Sequence, residues 1–455
     1  MAVKSIVKVS KLEGAKRLDA EYYQPKYIRS EEEIYSCPLQ VKTLMTLLKP
    51  IKNGFDYRNF SEEGRPYIRV GDLLFGEVAY REAEKIEVSE AEIRKDIKLK
   101  VGDVLFSRKG TFGRSAVVEG AFVEAIISSE IMLLRLEDSA EVNPYYLSTF
   151  LNSKHGFYQV ERRTHGVSNF SISQRDVGEL RIPIANPSFQ SNIAEIVSKA
   201  HKEFENSYEL YLLAEQILLD ELRWDKLDLS QPKSYAISLS QAKNGSRIDA
   251  EHFQPKYEKL LNHVKKAGET RQIREFLDEP VLKGVTPDYI PDGEIVVVNS
   301  QHLGRYCLNF EATDRTTLAF WEKNKRAQIK EYDVMIYATG AYVGRTNPYL
   351  ESARALAGVD LLLVRPNREC NPLYLSVYLN ALPGIYQAEK FARGSGQRHI
   401  YPDDVKQFLV HLPSQELQKK VADLVLQSYQ ARKKAKALLE EAKRQVEELI
   451  KKKGC

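Results

Sequence analysis

The chain has 455 residues, 43% of them hydrophobic and 29% charged, with a formal net charge of +4. That length calls for two or three domains and that apolar share builds cores, which excludes a disordered or low-complexity chain; the small net charge still leaves room for a local basic patch. The cysteines, Cys37, Cys307, Cys370 and Cys455, form no CxxC pair and point to neither a disulfide framework nor a metal site. The opening MAVKSIVKVS lacks the apolar core of a signal peptide, and no run reaches the ~18 apolar residues of a membrane span. The expected setting is cytoplasmic and reducing, with no membrane.

Taken in order, the chain repeats itself. RLDAEYYQPKY (Arg17 to Tyr27) returns as RIDAEHFQPKY (Arg247 to Tyr257), identical at 8 of 11 positions with an offset of 230 residues. The match continues from VGDVLFSRKGTFGRS (Val101 to Ser115) to EYDVMIYATGAYVGRT (Glu331 to Thr346). It then runs from NPYYLSTFLNSKHGFYQ (Asn143 to Gln159) to NPLYLSVYLNALPGIYQ (Asn371 to Gln387), and from QSNIAEIV to QKKVADLV. Short runs rich in Val, Ile and Leu, such as DVLFS, AIISSEIMLLRL, EIVVVN, DVMIYA and DLLLVR, read as strands broken by glycine turns. Asn143-Pro144 and Asn371-Pro372 read as helix caps followed by proline in the first turn. Each half is expected to be an α/β, mixed α+β, globular domain.

Each half ends in a long helix. No proline lies between Pro187 and Pro232, and Ile193, Val197, Phe204, Tyr211 and Leu218 fall on one apolar stripe at steps of three and four. A second stripe after Pro413 carries Val421, Val425, Leu438 and Val446, with Ser428 as its one polar member. Residues 188–228 hold 4 Lys+Arg against 9 Asp+Glu, whereas residues 413–455 hold 11 against 6. Opposite charge beside apolar seams favours pairing the two helices as an antiparallel coiled-coil spacer. The expected plan is a domain over 1–186, a central helix over 187–231, a second domain over 232–412 and a C-terminal helix over 413–455. Two similar domains on a rigid spacer suit two sites on one extended ligand, of which DNA is the natural case.

The candidate contact residues gather in loops. The first half offers Lys52, Asn53, Tyr57 and Arg58, then Arg108, Lys109, Thr111 and Arg114, then Arg163 and Asn169. The second offers Lys283, Thr286, Tyr289 and Gln301, then Thr339, Tyr342 and Arg345, then Arg393, Ser395, Gln397 and Arg398. Arg and Lys suit guanine edges and phosphates, and Asn and Gln suit adenine. Any one arginine is more often a solvated or ion-paired surface group; placement at equivalent turns of both copies is what lifts the set.

Catalytic motifs are tempting and incomplete. NPYY lacks the second proline of the (N/D)PP(Y/F) loop of amino-methyltransferases, and no glycine-rich cofactor loop precedes it. GTFGRS and GAYVGRT lack the spacing and lysine of a phosphate loop, and neither HExxH nor GxSxG occurs. No catalytic residue, metal ligand or cofactor site is expected in this chain.

With these features together, the chain resembles the specificity subunit of type I restriction-modification systems. The resemblance rests on the RxDAExxxPxY opening of each half, on KNGFDYRNFSEEGRPYIRVGDL and KGVTPDYIPDGEIVVVNSQHL, on GDVLFSRKGTFG, and on GSGQRHI leading to LPSQELQKKVADLV. The first half departs from the pattern at GVSNFSIS and lacks the Thr286-Pro287 pair of the second. The resemblance implies two target recognition domains reading the halves of a bipartite, asymmetric target in double-stranded DNA. It implies two methylation subunits docked on the helices and adjoining domains, restriction subunits in a larger complex, and S-adenosylmethionine, ATP and Mg on those partners. The alternatives are a protein-binding scaffold without DNA readout and the recognition part of a fused methyltransferase or nuclease.

Overall fold

The computed structural model describes residues 6–7, 19–89, 92–166, 170–245, 247–309 and 313–452. Contacts divide the chain into two units, Met1–Phe204 with Lys433–Cys455, and Glu205–Arg432, and each is described by itself. Both mix helix and sheet, as the alternating signals predict.

In the first unit, helix Pro25–Ser36 leads into strand Gln40–Thr43, which closes antiparallel on Arg181–Ile184. A four-stranded antiparallel sheet orders Lys52–Asn53, Ile131–Leu134, Val104–Ser107 and Ser115–Val117. A second sheet sets Arg65–Ile68 antiparallel to Lys85–Ile86 and parallel to Ile126–Ile127. AIISSEIMLLRL is therefore two strands rather than one, because the turn at Ser129 and Glu130 sends its halves to different sheets.

The second unit repeats this topology. Thr270–Gln272 pairs Leu409–His411, and the four-stranded sheet orders Leu282–Lys283, Leu361–Val364, Val334–Tyr337 and Thr346–Pro348. The other sheet again holds one parallel pair, Ile295–Val298 with Ala355–Ala357, and gains an extra edge strand, Gln328–Ile329.

The repeated motifs fold the chain. Asn143 caps helix Pro144–Asn152 by accepting from Tyr145 N at 2.9 Å, and Asn371 caps Pro372–Asn380 by accepting from Leu373 N at 2.9 Å. Gln190 Oε1 accepts from Asn143 N at 2.6 Å, and Gln418 Oε1 accepts from Asn371 N at 2.8 Å. Each NP cap is thus locked to the first turn of its long helix. An Asn that caps a helix this way is not free to hold a target amine.

The long helices run Pro187–Glu221, 35 residues, and Gln415–Lys451, 37 residues. Within the first unit they pack antiparallel: Asn192 Nδ2 donates to Gln445 Oε1 at 2.9 Å, and Glu203 pairs with Lys434 at 2.5 Å. Ile193 and Val197 share a core with Ala442, Val446 and Ile450, while Ala200, Phe204 and Ala435 form a tighter cluster against half-buried Leu438. Within the second unit Tyr211, Ala214, Leu218 and Leu222 join Val421, Ala422 and Val425. Full burial of each large apolar side chain contributes about 1.5–3 kcal/mol, more than an exposed ion pair can. Ser428, polar in an apolar stripe, is buried and donates its Oγ to the Ser207 carbonyl at 2.6 Å.

Candidate nucleic-acid interface

In each unit three loops converge on one edge of the four-stranded sheet. The first is set by a glycine: a Cβ on Gly54 would lie 1.8 Å from the Ile127 carbonyl oxygen, and one on Gly284 would lie 2.0 Å from that of Gly358. Only glycine lets the KNG and LKG turns approach so closely. The second is the turn after Val104–Ser107, and after Val334–Tyr337 in the other copy. The third is a hairpin stitched to that turn. His165 and Ser171 pair with each other, and Lys109 bridges to Ser171; Arg393 and His399 pair likewise, and Thr339 bridges to His399. Gly110 N donates to Phe170 O at 3.1 Å, and Gly340 N donates to Arg398 O at 2.9 Å. The backbone register is the same in both copies, and Phe170 stands where Arg398 does.

The structure gathers most of the candidate side chains at these edges. In the first unit Arg58 and Thr111 are exposed, with no side-chain partner among the described residues. Lys52 pairs with Asp96 at 3.2 Å, Lys109 with Glu130 at 3.8 Å, and Asn53 Oδ1 accepts from Gln174 Nε2 at 3.0 Å. Tyr57 is half-buried and donates its hydroxyl to Glu87 O at 3.0 Å, and half-buried Arg108 follows the sheet at the turn. Asn169 lies outside the described residues.

In the second unit Lys283, Thr286, Ser395 and Gln397 are exposed and carry no side-chain partner among the described residues. Tyr289, exposed, reaches Asn299 Oδ1 at 3.3 Å, and Gln301 Nε2 lies 3.4 Å from His302 Nε2. Thr339 Oγ1 lies 3.1 Å from His399 Nδ1, and Arg398 donates to Glu389 O at 2.9 Å. Arg393 is exposed but paired with buried Asp404 at 2.5 Å.

Three of the candidate arginines are engaged within their own units. Arg114 is 8% exposed, donates to Leu73 O at 3.3 Å and lies over the Phe75 ring. Arg345 repeats that bond to Leu303 O at 3.3 Å and stacks on Tyr342, whose ring is partly exposed, at 4.0 Å. Arg163 is 6% exposed and donates to Gln159 O at 3.1 Å. Their guanidinium groups hold loops together inside each unit.

The sequence reading missed the acids and the aromatic at this edge. Asp96 is held down to about 2 by the Arg94 hydrogen bond, helped by Lys52, so it stays ionised beside the candidate lysine. Asp56 accepts from Ser129 Oγ across the first loop. Phe170 is 45% exposed at the hairpin. Aligning the hairpins by their bridges would have found it; looking for cations could not. Among the described residues no group of three or more His, Cys, Asp or Glu could hold a metal ion, and no helix is long and apolar enough to cross a membrane.

Two copies of one domain, each presenting three loops at a sheet edge and each bearing long-helix segments, define a duplicated module. Residues 41–211 match the family described as the Type I restriction modification DNA specificity domain. The chain thus carries a segment of that family, whose motifs its second half repeats. Among solved structures it is similar to the Type-I restriction-modification system S subunit from M. genitalium, at 15% identity over 91% of this chain and 96% of that one, with a TM-score of 0.38. It is also similar to the HsdS subunit from Thermoanaerobacter tengcongensis, at 16% identity over 90% and 95%, with a TM-score of 0.28. The assignment rests on the family match and the internal repeat, not on these two likenesses. No curated protein matches the chain.

Proposed function

We propose that this chain reads a bipartite, asymmetric target in double-stranded DNA, one domain per half-site, while the long helices set the unread gap. It scaffolds two methylation subunits and, in the larger complex, restriction subunits. Methyl transfer with S-adenosylmethionine, and ATP- and Mg-dependent work, belong to those partners, so this chain supplies the address and none of the chemistry. One observation carries the reading: the two hairpins share a backbone register yet bear different tips, GVSNF over 166–170 and GSGQR over 394–398. A common scaffold with divergent tip sequences suits two different base sequences.

The test is a map of modified adenines after co-expression with the cognate methylation subunit in a methylation-free host. A single bipartite motif that disappears when this chain is omitted is the expected result. An assembled complex that leaves no motif would overturn the proposal.

A further inference from the structure

The RIDAEH segment is the strongest repeat in the chain, and nothing in the reading loops requires it. Its Arg247 and His252 side chains end at one place, the C-terminus of helix Leu382–Phe391, one residue before the hairpin begins. The last carbonyls of a helix have no partner within it and must find one outside. Glu389 O accepts from Arg398 at the hairpin tip at 2.9 Å, and Lys390 O accepts from His252 Nδ1 at 2.8 Å. Phe391 O accepts from Arg247 Nη1 at 2.9 Å, and Ala392 O from Arg247 Nη2 at 3.3 Å. Arg247 is in turn fixed by Asp249, at 2.8 Å through Nε and 2.6 Å through Nη2, and its side chain is only 11% exposed.

A cleft of about 1040 Å³ lies between this segment and the base of the hairpin. Three of its four cations are matched by carboxylates, Arg247 by Asp249, Lys256 by Glu389 and Arg393 by Asp404, and the fourth, Arg398, is bonded to the Glu389 carbonyl. The cleft also leaves the hairpin unpacked on that side. The capped helix end is what fixes where the hairpin starts.

We propose that the RxDAE motif is a positioning element, in which Arg247, held by Asp249 and bonded to the Phe391 and Ala392 carbonyls, sets the stance of the 393–399 hairpin on its half-site. The half-site part rests on the function proposed above; the positioning part does not. The first copy seats its motif on the same helix end: Lys26 pairs with Glu161 at 2.7 Å as Lys256 pairs with Glu389, and the Arg162 guanidinium lies 4.0 Å over the Tyr22 ring. Arg17, the counterpart of Arg247, lies outside the described residues.

The test uses Arg247→Ala and Arg247→Lys in the full chain within its complex; Lys keeps the charge but cannot reach two carbonyls and a carboxylate together. Hydrogen exchange is followed at Arg393 and His399, whose amides bond each other's carbonyls at 2.9 and 2.8 Å. Both variants should exchange faster at these amides, while His165 and Ser171 stay as in the wild type. Discrimination against single-base changes should fall by about two-fold to about thirty-fold in one half-site only. Unchanged exchange, or acceleration spread evenly over strands Val334–Tyr337 and Leu361–Val364, would overturn the positioning role. Faster hairpin exchange with discrimination intact at both half-sites would overturn its link to readout. A wild-type complex that discriminates nowhere would instead overturn the proposed function, and the exchange result would still decide the clasp.

Discussion

Replacing Asp333 with Ala tests whether a buried ion pair holds the second unit together. The Asp333 carboxylate, 2% exposed, accepts from Arg365 Nε at 2.7 Å and Nη2 at 2.9 Å, and from Lys330 N at 2.8 Å. Asp333→Ala removes all three bonds and leaves a guanidinium that is only 10% exposed, with Glu279 and the Gln328 carbonyl as its remaining partners. Breaking one side of such a pair costs about 3–5 kcal/mol. For a unit of this size each kcal/mol moves the melting temperature by about 2–4 °C, so a fall of roughly 6–20 °C is expected. Both tryptophans, Trp224 and Trp321, lie in this unit, so intrinsic tryptophan fluorescence reports its unfolding. Asp333→Leu with Arg365→Met should recover much of the loss, because a packed apolar pair of similar volume stands in for a buried ion pair. A shift under about 2 °C for Asp333→Ala would refute the argument, and with it the same role for Asp103 and Arg135, which meet at 2.6 Å in the first unit.

Other outcomes follow from the same contacts. Gln397→Ala removes an exposed side chain without a partner among the described residues, so stability should stay within about 0.5 kcal/mol while discrimination at one half-site falls by about 1–3 kcal/mol; quantitative binding to single-base variants checks both. Burial pushes Asp72 up to about 6 from its usual 3.8, so its stabilising contribution is complete below about 3.8 and is lost as pH rises through about 6. Denaturant unfolding of Asp72→Asn should therefore lack a decline of about 3 kcal/mol across that window. Ala435→Leu, at a fully buried position against Ala200 and Phe204, should cost about 1–3 kcal/mol in thermal unfolding, whereas Lys434→Glu, at a lysine whose side chain is 65% exposed, should cost about 1 kcal/mol or less. Inserting seven residues into both long helices adds roughly 10 Å to each, so the mapped gap should grow by about 3 base pairs; an unaltered gap would refute the spacer.

The architecture was legible because the repeat retains the residues that fold it. Gly54 and Gly284 permit the same close approach, Asn143 and Asn371 cap the same helix, and Gln190 and Gln418 lock that cap to the next one. Each of these roles admits few residue types, so identity between the copies survives. The candidate site was less legible because arginine serves two purposes with one chemistry. Arg114 and Arg345 occupy equivalent loops and both satisfy a buried carbonyl, and a sequence cannot show which acceptor a guanidinium will find. Their agreement was itself a signal: residues that read two different half-sites should differ between the copies, and residues that hold the shared scaffold should not. Arg163 escapes that rule, since Phe391 stands in its place, and only its burial shows that it faces inward.

The hairpins show how such a scaffold can change its loop tips without coming apart. His165 N and Ser171 N bond each other's carbonyls at 2.8 and 2.9 Å, as Arg393 and His399 do, so the base of each hairpin is closed by a pair of backbone bonds. Backbone bonds do not depend on the tip's side chains, which leaves Ser395 and Gln397 free to vary at little cost in stability. Arg398 differs from them: its guanidinium caps the Glu389 carbonyl, so any contact it makes with a base must compete with that bond or share the donor group with it. Replacing Arg398 should therefore change both the stance of the hairpin and its chemistry, whereas Gln397 should report chemistry alone. That contrast makes Gln397 the cleaner probe of base reading, although an arginine is the more conspicuous residue in the sequence.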